Sequence, residues 1–302
     1  MSQEKIRSRD HDGFFRYVYS IPKNAKALLN ICSKNNSDLD RILAGVNLDT
    51  LVRLPDTYSE VGERGEADIA FKAHLSGGGE INVGILLEHK SKQEKSVLHQ
   101  VGRYALRVSL DHEDEVFSWI PTKAIIIYNG PTGWDPLAEF RKKARAKFQG
   151  NELPFECVLV NLAAADDIAC VESDSPAAAV GVMAMKYAFS PEGFKSAIPN
   201  VETILRKMPS AEQATLVEKI ILYLGEYIDE STVEELQMAW KSIGQRMGFV
   251  SAGDARRAAE KASLEKGLEK GFDNALDVMR KLGIPEEKIQ EAKAMQEKAS
   301  SK

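Results

Sequence analysis

Asp68-Ile69-Ala70-Phe71-Lys72-Ala73-His74-Leu75, a turn at Gly77-Gly78-Gly79, and Ile81-Asn82-Val83-Gly84-Ile85-Leu86-Leu87-Glu88-His89-Lys90 form the stretch on which the fold turns. Two apolar runs of strand length joined by glycines read as an antiparallel hairpin. The run Ile85-Leu86-Leu87 is continuously apolar, so the second strand belongs near the centre of its sheet, covered on both faces. Side chains alternate along a strand, which sends Glu88 and Lys90 to one face and His89 to the other. Asp68 opens the first strand and Glu88 ends the second, so their carboxylates are expected at the same end of the sheet.

Upstream, Pro22 opens a helix through Ala25, Leu28, Leu29 and Cys32, whose spacings of three and four place those side chains on one face. Downstream, residues 96–111 form a helix with an inward face of Val97, Leu98, Val101, Tyr104 and Val108. Lys123-Ala124-Ile125-Ile126-Ile127-Tyr128 is a further buried strand, ended by Asn129-Gly130-Pro131, and Cys157-Val158-Leu159-Val160 is one more. Helix, hairpin, helix, strand is an α/β order with a mixed central sheet flanked by helices. Beyond residue 160 the pattern becomes helical, with candidates at 177–189, 201–207, 211–227 and 233–247. A joint at Ser251-Ala252-Gly253-Asp254 precedes a charged helix striped by Leu264, Leu268, Phe272, Leu276 and Met279, the pattern of a packing or oligomer seam. The expected organisation is therefore an α/β domain over 1–160, a helical region over 161–250, and charged C-terminal helices over 251–302 as a candidate oligomerisation tail.

The chain has 302 residues, 43% of them hydrophobic, and no apolar run approaches the length needed to span a bilayer. The N-terminus lacks the apolar segment of a secretory signal, so a cytoplasmic protein is expected. Cys32, Cys157 and Cys170 are odd in number and widely spaced, which suits free thiols better than a zinc site. A formal net charge of −5 denies the chain the overall basic character of many nucleic-acid binders, so any DNA contact must come from a local basic surface.

Phosphodiester hydrolysis needs charge neutralisation at the phosphoryl oxygen, an activated water and assistance to the leaving group. Asp68 and Glu88 together suit a hard cation such as Mg²⁺, with the backbone carbonyl of His89 and water completing its shell. Lys90, on the same face as Glu88, is placed to stabilise developing phosphorane charge. The alternative is a weak surface pair of Glu88 and Lys90 at a strand end. Gln100 and Tyr104, four apart, share one helix face and suit either a phosphate-and-lysine contact or a core tyrosine beside a polar neighbour. His99, Arg103 and Arg107 line another face, and Arg141-Lys142-Lys143-Ala144-Arg145-Ala146-Lys147 is the densest positive charge. Both suit a nucleic-acid backbone or an ordinary solvated helix surface.

These residues carry a family resemblance. His11-Asp12-Gly13-Phe14-Phe15, then Ser20-Ile21-Pro22-Lys23-Asn24-Ala25 and Leu28-Leu29, resembles the opening of the Rpn family of bacterial recombination-promoting nucleases, also called YhgA-like transposases. The similarity continues through Asp68-Ile69, Leu86-Leu87-Glu88-His89-Lys90-Ser91, the helix with Gln100 and Tyr104, and Tyr128-Asn129-Gly130, covering roughly residues 10–160. The motifs are short; their order and spacing give the resemblance its specificity. It implies a restriction-endonuclease-like core of the PD-(D/E)xK kind, divalent-metal-dependent DNA endonuclease activity, and a role in recombination or mobile-element biology. Carried over, Asp68 and Glu88 are the metal ligands, Lys90 is the third signature residue, and Gln100 and Tyr104 match a Gln-x-x-x-Tyr element of related nucleases. Relatives often carry glutamine where this chain has Lys90, so it stands closer here to the broad superfamily signature. Asp12 is read as an N-cap or an additional upstream acid. Charged helices with recurrent glycine end many relatives, and Lys266-Gly267-Leu268-Glu269-Lys270-Gly271 is similar to them.

Three functions compete: a magnesium-dependent DNA endonuclease, a non-catalytic DNA-binding or oligomeric accessory protein on the same fold, and a regulated defence or toxic nuclease whose helical tail governs assembly.

Overall fold

The apolar run 85–87 lies where its composition requires. In the computed structural model, five strands, β1 (Val46–Arg53), β2 (Ile69–Leu75), β3 (Asn82–Lys90), β4 (Thr122–Tyr128) and β5 (Glu156–Asn161), form one sheet in that spatial order, with β3 at its centre. The first three strands pair antiparallel, while β3, β4 and β5 run parallel, so the sheet is mixed. The structure describes residues 13–54, 69–76, 82–110, 121–147, 153, 155–225 and 230–248, with isolated positions between 272 and 290. His11, Asp12, Asp68, the Gly77-Gly78-Gly79 turn, the joint at 251–254 and the Lys266 to Gly271 run lie outside the described residues.

Alternation along the strands sorts two cores. Ile69, Phe71, Val83, Ile85, Leu87, Ile125 and Ile127 face one side, and Ala70, Leu86, Ala124 and Ile126 face the other. The second side is covered by α4 (Val97–Leu110), whose Val97, Val101, Tyr104 and Val108 stand at helical spacing. Gly84 lets this helix approach: a Cβ there would sit 2.5 Å from a Val108 methyl and 2.7 Å from the Thr122 hydroxyl.

The first side is covered by helices from both ends of the chain. They are α1 (13–19), α2 (Pro22–Ser33), α3 (Ser37–Leu43) and, after α5 (Pro136–Lys147), the helices α6 (Asp167–Glu172), α7 (Pro176–Lys186), α8 (Pro191–Leu205), α9 (Ser210–Leu224) and α10 (Glu230–Arg246). Phe15, Leu28, Ile85 and Ile127 belong to one buried cluster with Met183, Phe194, Leu216 and Trp240. The expected boundary at residue 160 therefore separates no two cores. The compact units are Met1–Phe249 and Val250–Lys302. In the second, Phe272, Leu276 and Met279 are helical and Leu276 is buried, whereas Leu264 and Leu268 lie outside the described residues.

β1 lacks a sustained apolar alternation, for a physical reason. Its ladder is irregular between Asn47 and Val52, and the Thr50 hydroxyl, rather than a main-chain carbonyl, accepts from the His74 amide at 2.8 Å. Apolar alternation is lost where a side chain replaces the backbone. In α8, Pro199 inside the helix hides a start made by Ser190, whose hydroxyl caps the Gly193 amide at 3.2 Å, so the expected helix at 201–207 is only its end.

Candidate functional site

Glu88 and Lys90 emerge on the α4 side near the C-terminal end of β3, beside parallel β4. Open sheets place ligands at the carboxyl ends of parallel strands, because loops diverge there and leave space. The Glu88 side chain is only 1% exposed, and its Oε1 accepts from Lys90 Nζ at 2.9 Å. Lys90, 15% exposed, also donates to Glu94 Oε2 at 2.9 Å and to Gln100 Oε1 at 3.1 Å. An ammonium has three N–H groups, and here each has a named acceptor. Burial opposes the charge on Lys90, but Glu88 and Glu94 outweigh it and hold the ammonium's pKa above its ordinary value. Burial likewise opposes ionisation of Glu94, yet the hydrogen bond and charge of Lys90 hold its carboxyl below the usual range.

Tyr104 is buried one turn beyond Gln100; burial, and then the charge of Glu88, raise its phenol pKa. The structure thus brings Glu88, Lys90, Gln100 and Tyr104 together. A buried carboxylate–ammonium cluster contributes little net stability, since desolvation offsets the attraction. Such a cluster at a strand end points to chemistry more than to packing.

On the reverse face His89 is held as part of the core. Its ring stacks on Phe15 with centroids 5.0 Å apart, and its Nε2 lies 3.0 Å from Asn129 Oδ1. The amide nitrogen of Asn129 donates to the Met185 carbonyl at 3.2 Å and to the Tyr223 hydroxyl at 2.8 Å. A carbonyl only accepts, so the Met185 contact fixes which end of the Asn129 amide is nitrogen, and its oxygen must then accept from His89 Nε2–H. Burial is the main cause that pushes the His89 pKa down to about 4; the Asn129 hydrogen bond works against it. The imidazole is neutral and points away from Lys90. The main-chain amide of Asn129 also donates to the Lys90 carbonyl at 3.1 Å, so one residue ties the two β3 positions that follow Glu88.

Sequence patterning assigns no role at the site to Asn129 or Glu94. Asn129 resembles an ordinary turn residue beside Gly130 and Pro131. Gly130, for its part, is needed because a Cβ would lie 2.6 Å from the Ser91 carbonyl oxygen and 2.4 Å from the Tyr128 ring. Glu94 was concealed in the charged run Lys92-Gln93-Glu94-Lys95; its only local signal is the spacing of four from Lys90.

Of the expected nucleic-acid contacts, Arg103 is exposed and Arg107 half-buried on α4. Arg141, Lys142 and Lys143 are exposed on α5, near enough to β5 for the charge of Arg141 to be felt at Cys157. Cys157, half-buried, packs with the α4-side cluster, so α5 lies on the same side of the sheet as Glu88.

The Lys90 ammonium rests on oxygen acceptors alone, and the buried Glu88 carboxylate beneath it is the donor type that a hard cation prefers. Among the described residues no group of three His, Cys, Asp or Glu is placed to hold a metal. Asp68 lies outside them, directly before Ile69, which pairs with Leu87, the neighbour of Glu88. Among the described residues no helix is long and apolar enough to cross a membrane.

No curated protein and no solved structure matches the chain significantly. The model of the family described as "Putative transposase, YhgA-like" matches residues 9–215, which takes in all five described strands, the helices through α8 and the start of α9. With well over half of its 302 residues matched, the chain belongs to this YhgA-like family, whose description implies a role in mobile-element or recombination biology.

Proposed function

We propose that the chain is a divalent-metal-dependent DNA endonuclease with a restriction-endonuclease-like core of the PD-(D/E)xK kind. The observation that carries this reading is the buried Glu88 carboxylate at the end of the central strand, bonded to Lys90, which α4 holds through Gln100. Family membership supports it, since transposition and recombination require breakage of DNA strands.

Asp68, Glu88 and the backbone carbonyl of His89 are the residues that would hold Mg²⁺. When bound, the ion supplies charge neutralisation at the phosphoryl oxygen and a water of lowered pKa. The ammonium of Lys90 stabilises the charge that develops on the phosphoryl oxygens, an interaction stronger in the transition state than in the ground state. Gln100 orients that ammonium, while Tyr104 walls the carboxylate on the helix side. Arg103 and Arg107 on α4, with Arg141, Lys142 and Lys143 on α5, take the DNA phosphates and set position without reading sequence.

The test is nicking of supercoiled plasmid by the full-length protein with Mg²⁺ and with chelator. Nicking is expected with the metal alone, and Asp68→Ala or Glu88→Ala should abolish it with the fold intact. Unchanged nicking by the double variant refutes the reading.

A non-catalytic DNA-binding protein is the second reading. It is favoured by the basic residues of α4 and α5 on the same side of the sheet as Glu88. Chelator-insensitive, salt-sensitive binding without any cleavage would select it.

A further inference from the structure

Lys90 is shared between two carboxylates of different character. Glu88 is buried, whereas Glu94 is 41% exposed. Glu94 is nevertheless fixed: its second oxygen, Oε1, accepts from the Ser96 hydroxyl at 2.8 Å, and its carbonyl accepts from the amide of Val97, the first residue of α4, at 3.4 Å. The same helix supplies Gln100, the third acceptor of the ammonium.

The arrangement has an electrostatic consequence. Any cation that takes Glu88 Oε1 competes with the ammonium already bound there at 2.9 Å. A lysine with Glu88 as its sole anionic partner would cling to it, and once displaced would lie unpaired beside a second positive charge. With Glu94 in place, the ammonium keeps a carboxylate and an amide oxygen when Glu88 lets go.

We propose that Glu94 is a positioning residue that receives the Lys90 ammonium, so that Glu88 can pass to a divalent cation while Lys90 stays beside it. The inference rests on the reading of Glu88 as a metal ligand given above. It assigns Glu94 no contact with the ion.

The experiment measures Mn²⁺ binding to the metal-free full-length protein, read from the free-ion signal in electron paramagnetic resonance. It compares wild type, Glu88→Gln, Glu94→Gln, Lys90→Met and the Glu94→Gln/Lys90→Met double variant, with circular dichroism melts as the check on folding. Glu94→Gln is expected to raise the Mn²⁺ Kd about tenfold, the size of coupling found between contacting charged residues. Lys90→Met should lower the Kd, and in that background Glu94→Gln should change it by less than about twofold, because the cation that Glu94 restrains is gone. A purely structural role for Glu94 would not depend on Lys90 in this way. Equal weakening in both backgrounds would make Glu94 itself a ligand and overturn the inference, as would no effect in either. Wild-type protein that binds no Mn²⁺, or binding indifferent to Glu88→Gln, would defeat the metal-site reading and this inference together. Glu88-dependent binding with a neutral Glu94→Gln defeats the inference alone.

Discussion

Replacing Asn129 by alanine should unlock the strand that carries the site. The side chain makes three buried hydrogen bonds, to His89 Nε2, the Met185 carbonyl and the Tyr223 hydroxyl. Each neutral bond contributes about 1 kcal/mol net, and a buried partner deprived of its bond costs about as much or more, so the loss should be at least about 3 kcal/mol. That is a large share of the roughly 5–15 kcal/mol that stabilises an ordinary domain. The assay is urea unfolding followed by circular dichroism. With an m-value of about 3 kcal/mol per molar, the midpoint should fall by about 1 M while m stays unchanged. Tyr223→Phe removes one of the three bonds and should cost about 1 kcal/mol. An Asn129→Ala midpoint within about 0.2 M of wild type would show that these bonds do not hold the strand, as would a Tyr223→Phe loss equal to that of Asn129→Ala.

Gly130→Ala pushes a methyl against the Ser91 carbonyl and should destabilise by about 1–3 kcal/mol in the same assay. Gly45→Ala, in open space but at φ +79°, should cost only about 1 kcal/mol of backbone strain. Burial pushes the thiols of Cys157 and Cys170 up to about 12 and that of Cys32 higher still, so Ellman's reagent at pH 8 should react slowly with native protein and with all three thiols in denaturant. Rapid native labelling of Cys32 or Cys170 would contradict their burial. If α4 and α5 take phosphates, Arg103→Ala and Arg141→Ala should each reduce the slope of log affinity against log salt by about 1, as measured by fluorescence anisotropy with duplex DNA. An unchanged slope would remove those residues from the interface.

The central hairpin and both parallel strands were legible because two-sided burial forces continuous apolar runs, as at 85–87 and 125–127. Alternation alone separated Glu88 and Lys90 from His89, and spacing on α4 brought Gln100 and Tyr104 to one face. What escaped was non-local. Residues 161–250 read as a separate helical region because nothing in their periodicity says that Met183 and Phe194 share a core with Phe15 and Ile85. Asn129 looked like turn chemistry, since its partners Met185 and Tyr223 are 56 and 94 residues away. The opening motif gains a physical reason only in three dimensions: Phe15 stacks on His89, Phe14 stacks on Tyr223, and Asn24 bonds the Val18 carbonyl and the Ser175 hydroxyl. These residues brace the far side of the strand whose near side carries Glu88.

The most direct measurement is the initial rate of Mg²⁺-dependent plasmid nicking by wild type beside Glu88→Gln, which keeps the shape of the side chain and removes its charge. The rate of the variant should fall at least about a hundredfold while it unfolds at nearly the wild-type urea midpoint. Equal rates for the two proteins, or equal rates with and without chelator, would contradict it.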